Sequence, residues 1–162
     1  MRKVSLILCC CSLFTSFLHA RPVKKWSYAD LFKESEIVVI ARAITTEEGT
    51  DGPNQAPPKP YLKPVITTFD VVQTLKGNGG LKKLTVFHYR LDPERREVIV
   101  NGPMLVTFHS DNLKLKLNNV TNAVLKPEYL LFLKKRGDDR YECVSGQYDP
   151  RLSVKLITSP VP

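Results

Sequence analysis

Cysteine is scarce and badly placed for cross-linking. Of the four in the chain, Cys9, Cys10 and Cys11 sit in one apolar run near the start, and only Cys143 lies beyond it. A fold stapled by internal disulfides is thereby excluded. Histidine is equally thin: there are three, and His19 stands at the end of the same apolar run. His88 and His109 alone cannot build a three-histidine metal centre, and their separation is not one that places both on a single ion. Glycine-rich phosphate loops, a dinucleotide fingerprint and the Gly-x-Ser-x-Gly elbow of serine hydrolases are all missing. No catalytic, metal-binding or cofactor-binding residue is therefore assigned from motifs. Long hydrophilic stretches are lacking too, since 43% of residues are hydrophobic, while 12 prolines and 8 glycines speak against a bundle of long helices.

The residues present begin with a positive start, Met1-Arg2-Lys3, and an apolar run over residues 4–18 that ends at Leu18-His19-Ala20. This is the pattern of a secretory signal peptide cleaved after Ala20. The run falls short of the ~20 apolar residues a spanning helix needs, so no transmembrane segment is expected once the leader is removed. The expected destination is outside the cytoplasm, secreted or in the periplasm or cell envelope. Loss of residues 1–20 removes two of the 24 Lys and Arg residues and none of the 16 Asp and Glu residues, lowering the formal charge from +8 to +6. The remaining 142 residues form one expected domain, 21–162, large enough to bury about two thirds of its unfolded surface without covalent help.

Within that domain the pattern is mainly β. Ser27, with Asp30 three residues on and Trp26 before it, marks one short N-terminal helix over residues 26–34, with Tyr28, Leu31 and Phe32 on a face expected to lie against the body as a lid. A β-branched run at 36–46 reads as a central strand. A Pro/Gly-rich loop follows at 47–64, whose prolines are expected to block both helix and ladder. Residues 65–76 and 84–91, joined by Lys76-Gly77-Asn78-Gly79-Gly80, read as a hairpin. In the first of these strands Phe69, Val71 and Leu75 are expected on one side. Short strands are expected at 98–100 and 104–109, and the alternation Leu113, Leu115, Leu117 with Lys114 and Lys116 suggests an inserted hairpin at 111–126. Tyr129-Leu130-Leu131-Phe132-Leu133 is the most buried-looking run, and residues 141–145 and 152–157 complete the set. The expected fold is a small antiparallel β-barrel, OB-like, because closure hides strand edges; a β-sandwich is the alternative.

Candidate binding residues come from two places. Gln147, Tyr148 and Asp149 lie between a strand and the tail, where a loop can display them. Lys134, Lys135 and Arg136 form the densest of several basic clusters on a chain that polyanions will attract. Aromatics are not interleaved with these basics, and export argues against nucleic acid, so the partner classes are an envelope protein or a polyanion, including anionic lipid. Asn119-Val120-Thr121 matches a glycosylation acceptor. Cys143, alternating with Tyr141 and Ser145, reads as a small core hydrophobe, and the two histidines as ordinary surface or half-buried residues. Three functions stay open: a non-enzymatic exported binding domain, a basic module adhering to envelope surfaces, and a hydrolase with a convergent site near His88, His109 or Asp149.

The succession Trp26-Ser27-Tyr28 with Asp30-Leu31, residues 36–42, Phe69-Asp70-Val71-Val72 to Lys76-Gly77, Asn101-Gly102-Pro103, residues 129–133 and residues 144–150 resembles a group of uncharacterised secreted bacterial proteins. That resemblance implies export and a compact β domain. The late Tyr-Leu-Leu-Phe-Leu and the strand ending in Leu-Lys-Gly are also similar to the OB-fold of netrin and tissue-inhibitor-of-metalloproteinase modules. Those inhibitors use a cysteine at the mature N-terminus; here the expected start is Arg21-Pro22-Val23, so their inhibitory chemistry does not carry over.

Overall fold

A computed structural model of the chain describes residues 22–50, 59–95, 102–110, 113–116 and 122–160. The expected leader, the 98–100 strand and the Asn119 motif lie outside these residues. In chain order the elements are helix α1 (Tyr28–Glu34) and strands β1 (Ile37–Glu48), β2 (Leu62–Lys76), β3 (Lys83–Leu91), β4 (Leu113–Lys116), β5 (Asn122–Lys135), β6 (Tyr141–Cys143) and β7 (Val154–Pro160), with a 3-10 turn at Pro150–Ser153 before β7.

Five strands close a barrel in the order β1-β2-β3-β6-β5, with β5 returning to β1. This is the expected OB-like barrel with one short helix, with one correction: it is mixed rather than antiparallel. β3 and β6 run parallel through the pair Val86 and Tyr141. Parity requires this, because an odd number of strands cannot alternate direction all the way around a ring. Three register shifts between β1 and β2 give the pair the local bends that a narrow barrel needs.

The interior is filled by alternate residues of each strand. Ile37, Val39, Ala41 and Ala43 of β1 face Phe69 of β2, Leu84 and Val86 of β3, Tyr129, Leu131 and Leu133 of β5, and Cys143 of β6. Side-chain size is matched across the strands: Ala43 stands opposite Phe69 and Ala41 opposite Tyr129, so each ring has room. The expected phase of β2 fails at its far end. Phe69 and Val71 point to the core, but Leu75 is exposed, because β2 there has run past the end of β3 and the register shifts against β1 have moved its phase.

Helix α1 starts where its cap predicts. The Ser27 hydroxyl accepts from the Asp30 amide at 3.1 Å, and the Asp30 carboxylate accepts from the Ser27 amide at 3.2 Å. The helix lies on the outer wall rather than over an end of the barrel: Leu31 packs with Val38, Phe132 and Val144, and Trp26 packs against the same cluster. Tyr28 and Phe32 are exposed, which corrects the expected three-residue face. Seven residues make only two turns, so one side chain suffices to dock them. The helix C-terminus is held from the barrel, where the Lys76 ammonium donates to the carbonyls of Phe32 at 2.6 Å and Lys33 at 3.1 Å.

Two further expectations change. Pro64, read as forbidding a ladder, lies inside β2 opposite Tyr89, and its carbonyl accepts the Gly49 amide at 2.9 Å. A proline loses only the donor. The inserted hairpin is also part of something larger: β4 pairs with residues 122–125, but those residues continue without a break into the buried run, making β5 one strand of 14 residues. Residues 51–58 of the expected 47–64 loop lie outside the description.

Gly77 turns the β2–β3 hairpin with φ +95°, and a Cβ there would stand 2.9 Å from the Glu36 carbonyl oxygen. Gly79 has nothing within 4 Å of the same position. Gly77→Ala is therefore expected to lose about 1–2 kcal/mol or more in urea unfolding, while Gly79→Ala stays within about 1 kcal/mol of the parent.

Candidate ligand-binding cleft

Residues 102–110 were expected to contribute a strand and do not. They run extended between β3 and the final strand without joining a ladder. Leu105 packs outward with Phe87, Tyr89 and Leu62, whereas Phe108 turns inward and Val106 packs on the core. The Phe108 ring meets Phe69 at 4.8 Å, Tyr129 at 5.1 Å and His88 at 5.0 Å, all edge-on. The segment is a plug, held inside the barrel by one aromatic ring. Its backbone is pinned near both ends: the Met104 carbonyl accepts the Arg151 amide at 3.2 Å, the Met104 amide reaches Asp149 Oδ1 at 3.4 Å, and the His109 amide donates to the Tyr129 hydroxyl at 2.8 Å.

Between the plug and β7 lies a cleft of about 570 Å³. That volume falls in the range of small-molecule sites. Its plug wall comprises residues 104–107 and 109, its other wall residues 151, 152 and 154–156, and Tyr129 stands between them. Among the described residues β7 pairs only with β5, so its other edge faces the cleft without a strand partner. Leu156, half exposed, is a large apolar side chain on this lining. Lys155 also lines the cleft, but its ammonium lies 5.7 Å over the Tyr28 ring, on the helix side of the wall. Among the described residues Arg151 has no ion-pair partner and no carboxylate lines the cleft.

The residues singled out from sequence are dispersed. Gln147 is turned inward rather than displayed: its Nε2 donates to the Phe87 carbonyl at 3.2 Å and to Glu142 at 3.0 Å. Tyr148 is half-buried, and Asp149 is buried, where it holds Met104 in place. Lys134 pairs with Glu142 at 3.0 Å, Lys135 with Asp139 at 3.0 Å and Arg136 with Asp138 at 3.3 Å. Arg136 also stacks 4.0 Å over Phe87, covering a ring on the outside of the barrel. The basic cluster is thus a hairpin of neutralised charges around Phe87. The cleft includes none of these six residues. Of the three groups nominated for a hydrolase, it contains only His109.

Sequence reasoning missed Arg151, Tyr129 and Leu156 as cleft residues. The available signal was the run 104–109, apolar yet bounded by turn residues, which can be read as a strand or as a segment laid across one. Among the described residues no three His, Cys, Asp or Glu side chains gather as a metal site. Comparison of the sequence with family models and with curated proteins finds no match.

His88, expected at the surface or half-buried, is 2% exposed. It belongs to a chain of hydrogen bonds inside the barrel, from His88 Nε2 to Thr67 at 2.8 Å and from Thr67 to Thr46 at 2.8 Å. Its Nδ1 has no hydrogen-bond partner. Burial pushes the imidazole pKa down to about 4, outweighing a weaker opposing contribution from the Tyr89 backbone. The folded value lies below the ordinary 6.5, so the unfolded chain binds the extra proton between these two values. Stability from this residue is complete above about pH 6.5 and lost as pH falls toward 4, by about 3 kcal/mol in all. Urea titrations across that range are expected to show this slope, and His88→Gln to flatten it.

Cys143 is 1% exposed, and burial pushes its thiol up to about 12. A nucleophile requires the thiolate, which this site suppresses. Ellman's reagent at pH 8 is expected to leave the folded protein unlabelled and to titrate one thiol of the 21–162 chain in denaturant.

Proposed function

We propose that the chain is an exported binding domain, an OB-like barrel whose ligand seat is the cleft between residues 104–109 and 151–156. The observation that carries this reading is the cleft's construction. One wall is a strand edge with no partner among the described residues, the other a segment that, among them, joins no strand of the sheet. Rigid scaffolds commonly present binding sites on such connecting segments. His109 is the one histidine on the lining, and no described cysteine or carboxylate stands beside it there. The leader pattern and the resemblance to secreted bacterial proteins support an extracytoplasmic location.

The surface-adhering alternative draws less support, because each cation of the 134–136 cluster already faces a carboxylate. Exposed pairs of this kind are screened further by salt.

Two measurements test the proposal. N-terminal sequencing of protein recovered from the envelope or medium is expected to begin at Arg21, and an intact leader on cytosolic material would contradict export. A fragment screen followed by ¹⁵N chemical shifts is expected to cluster responses on residues 104–109 and 151–156. Responses confined to the 134–140 hairpin would transfer the binding site to the basic cluster.

A further inference from the structure

We infer that the cleft takes a single-chain amphiphile with a carboxylate head, the head at Arg151 and the tail along Leu105, Val106 and Leu156. This rests on the cleft being a ligand seat and names what fits it. The polar groups of the lining decide the head. Arg151 offers a guanidinium that no described carboxylate neutralises. Tyr129 accepts from the His109 amide, and among the described residues nothing accepts its own hydroxyl proton. Residues 105–108 make no backbone hydrogen bond to another described segment, so the plug offers donors and acceptors in equal number and the charge of Arg151 decides the head. Among the described residues the lining side chains include the Arg151 cation and neutral polar groups but no acid. A carboxylate, which only accepts, complements that cation, and a guanidinium binds that group with two parallel hydrogen bonds. An ammonium head would meet a like charge.

The remaining lining decides the body. Met104, Leu105, Val106, Leu152, Val154 and Leu156 supply apolar walls, and half-exposed Leu156 would lose solvent contact under an alkyl chain. Neither feature suffices alone: an exposed arginine attracts any anion, and an apolar slot any hydrocarbon. Their adjacency selects molecules that carry both.

The experiment titrates the purified protein with dodecanoate, dodecan-1-ol, dodecylammonium and acetate below micellar concentrations, reading backbone amide shifts and calorimetric affinity. Dodecanoate is expected to move the amides of residues 105–108 and 151–156, and to bind about tenfold or more tightly than the alcohol or the amine. Acetate, a head without a tail, is expected to move none of them. Arg151→Gln is expected to remove most of the preference for the acid while leaving the alcohol unchanged. Arg136→Gln, at a guanidinium already committed to Asp138 and Phe87, should leave both unchanged. Equal binding of acid, alcohol and amine in the cleft, or an unaltered preference in the Arg151 variant, overturns the head-group assignment and leaves the cleft as a ligand seat. If no ligand moves a cleft amide, the reading of the cleft as a binding site falls as well.

Discussion

The two backbone edges of β5 are divided among four partner strands, and the architecture follows from that division. At ~3.3 Å per residue its 14 residues reach roughly 46 Å, too long for one neighbour on each side to cover. On one edge β4 takes residues 122–125 and β1 takes 129–133. On the other, β7 takes 125–131 and β6 takes 133–135. The change of partner from β6 to β7 opens the wall of the barrel. β6 reaches across to β3 and seals it, whereas β7 does not, and the space left there is filled by a segment with no ladder of its own. Cleft and plug are thus consequences of the way one long strand is shared.

Inside the same barrel, packing and polarity are handled together. The aromatic set around Phe108 fits because β1 contributes alanines opposite the rings of Phe69 and Tyr129. The one imidazole enclosed with them is accommodated by two threonines that pass a hydrogen bond outward toward the strand ends. Buried polar groups are tolerated when satisfied, and His88 Nδ1, one of three unpartnered buried polar side-chain atoms among the described residues, marks a local weak point beside the aromatic set.

Much of this was legible in the residues. The Ser27 and Asp30 spacing located the helix cap, although the helix begins at Tyr28 rather than at residue 26; β-branched content located β1, and Gly77 located the turn between β2 and β3. Cys143 could be placed in the core from alternation alone. What escaped was set by long-range pairing. Nothing local distinguishes residues 104–109 from a strand, because whether an extended apolar run joins a ladder depends on whether a partner edge comes within reach. The continuity of β5 across Lys126-Pro127 was hidden for a related reason. Proline interrupts a pattern in one dimension, yet in the sheet it forfeits only its donor. Charge was the least informative guide: Lys134, Lys135 and Arg136 look like a cationic patch in a string, and only the hairpin brings Glu142, Asp138 and Asp139 opposite them.

The attachment of the plug near its two ends has a kinetic consequence. Residues 105–108 could bow outward by withdrawing a ring and breaking no ladder, while β1, β2, β3, β5 and β6 keep every rung. A guest of the proposed seat would then exchange on the timescale of loop motion, insulated from the far slower opening of the cylinder, so that under that proposal resilience and accessibility need not be traded against each other.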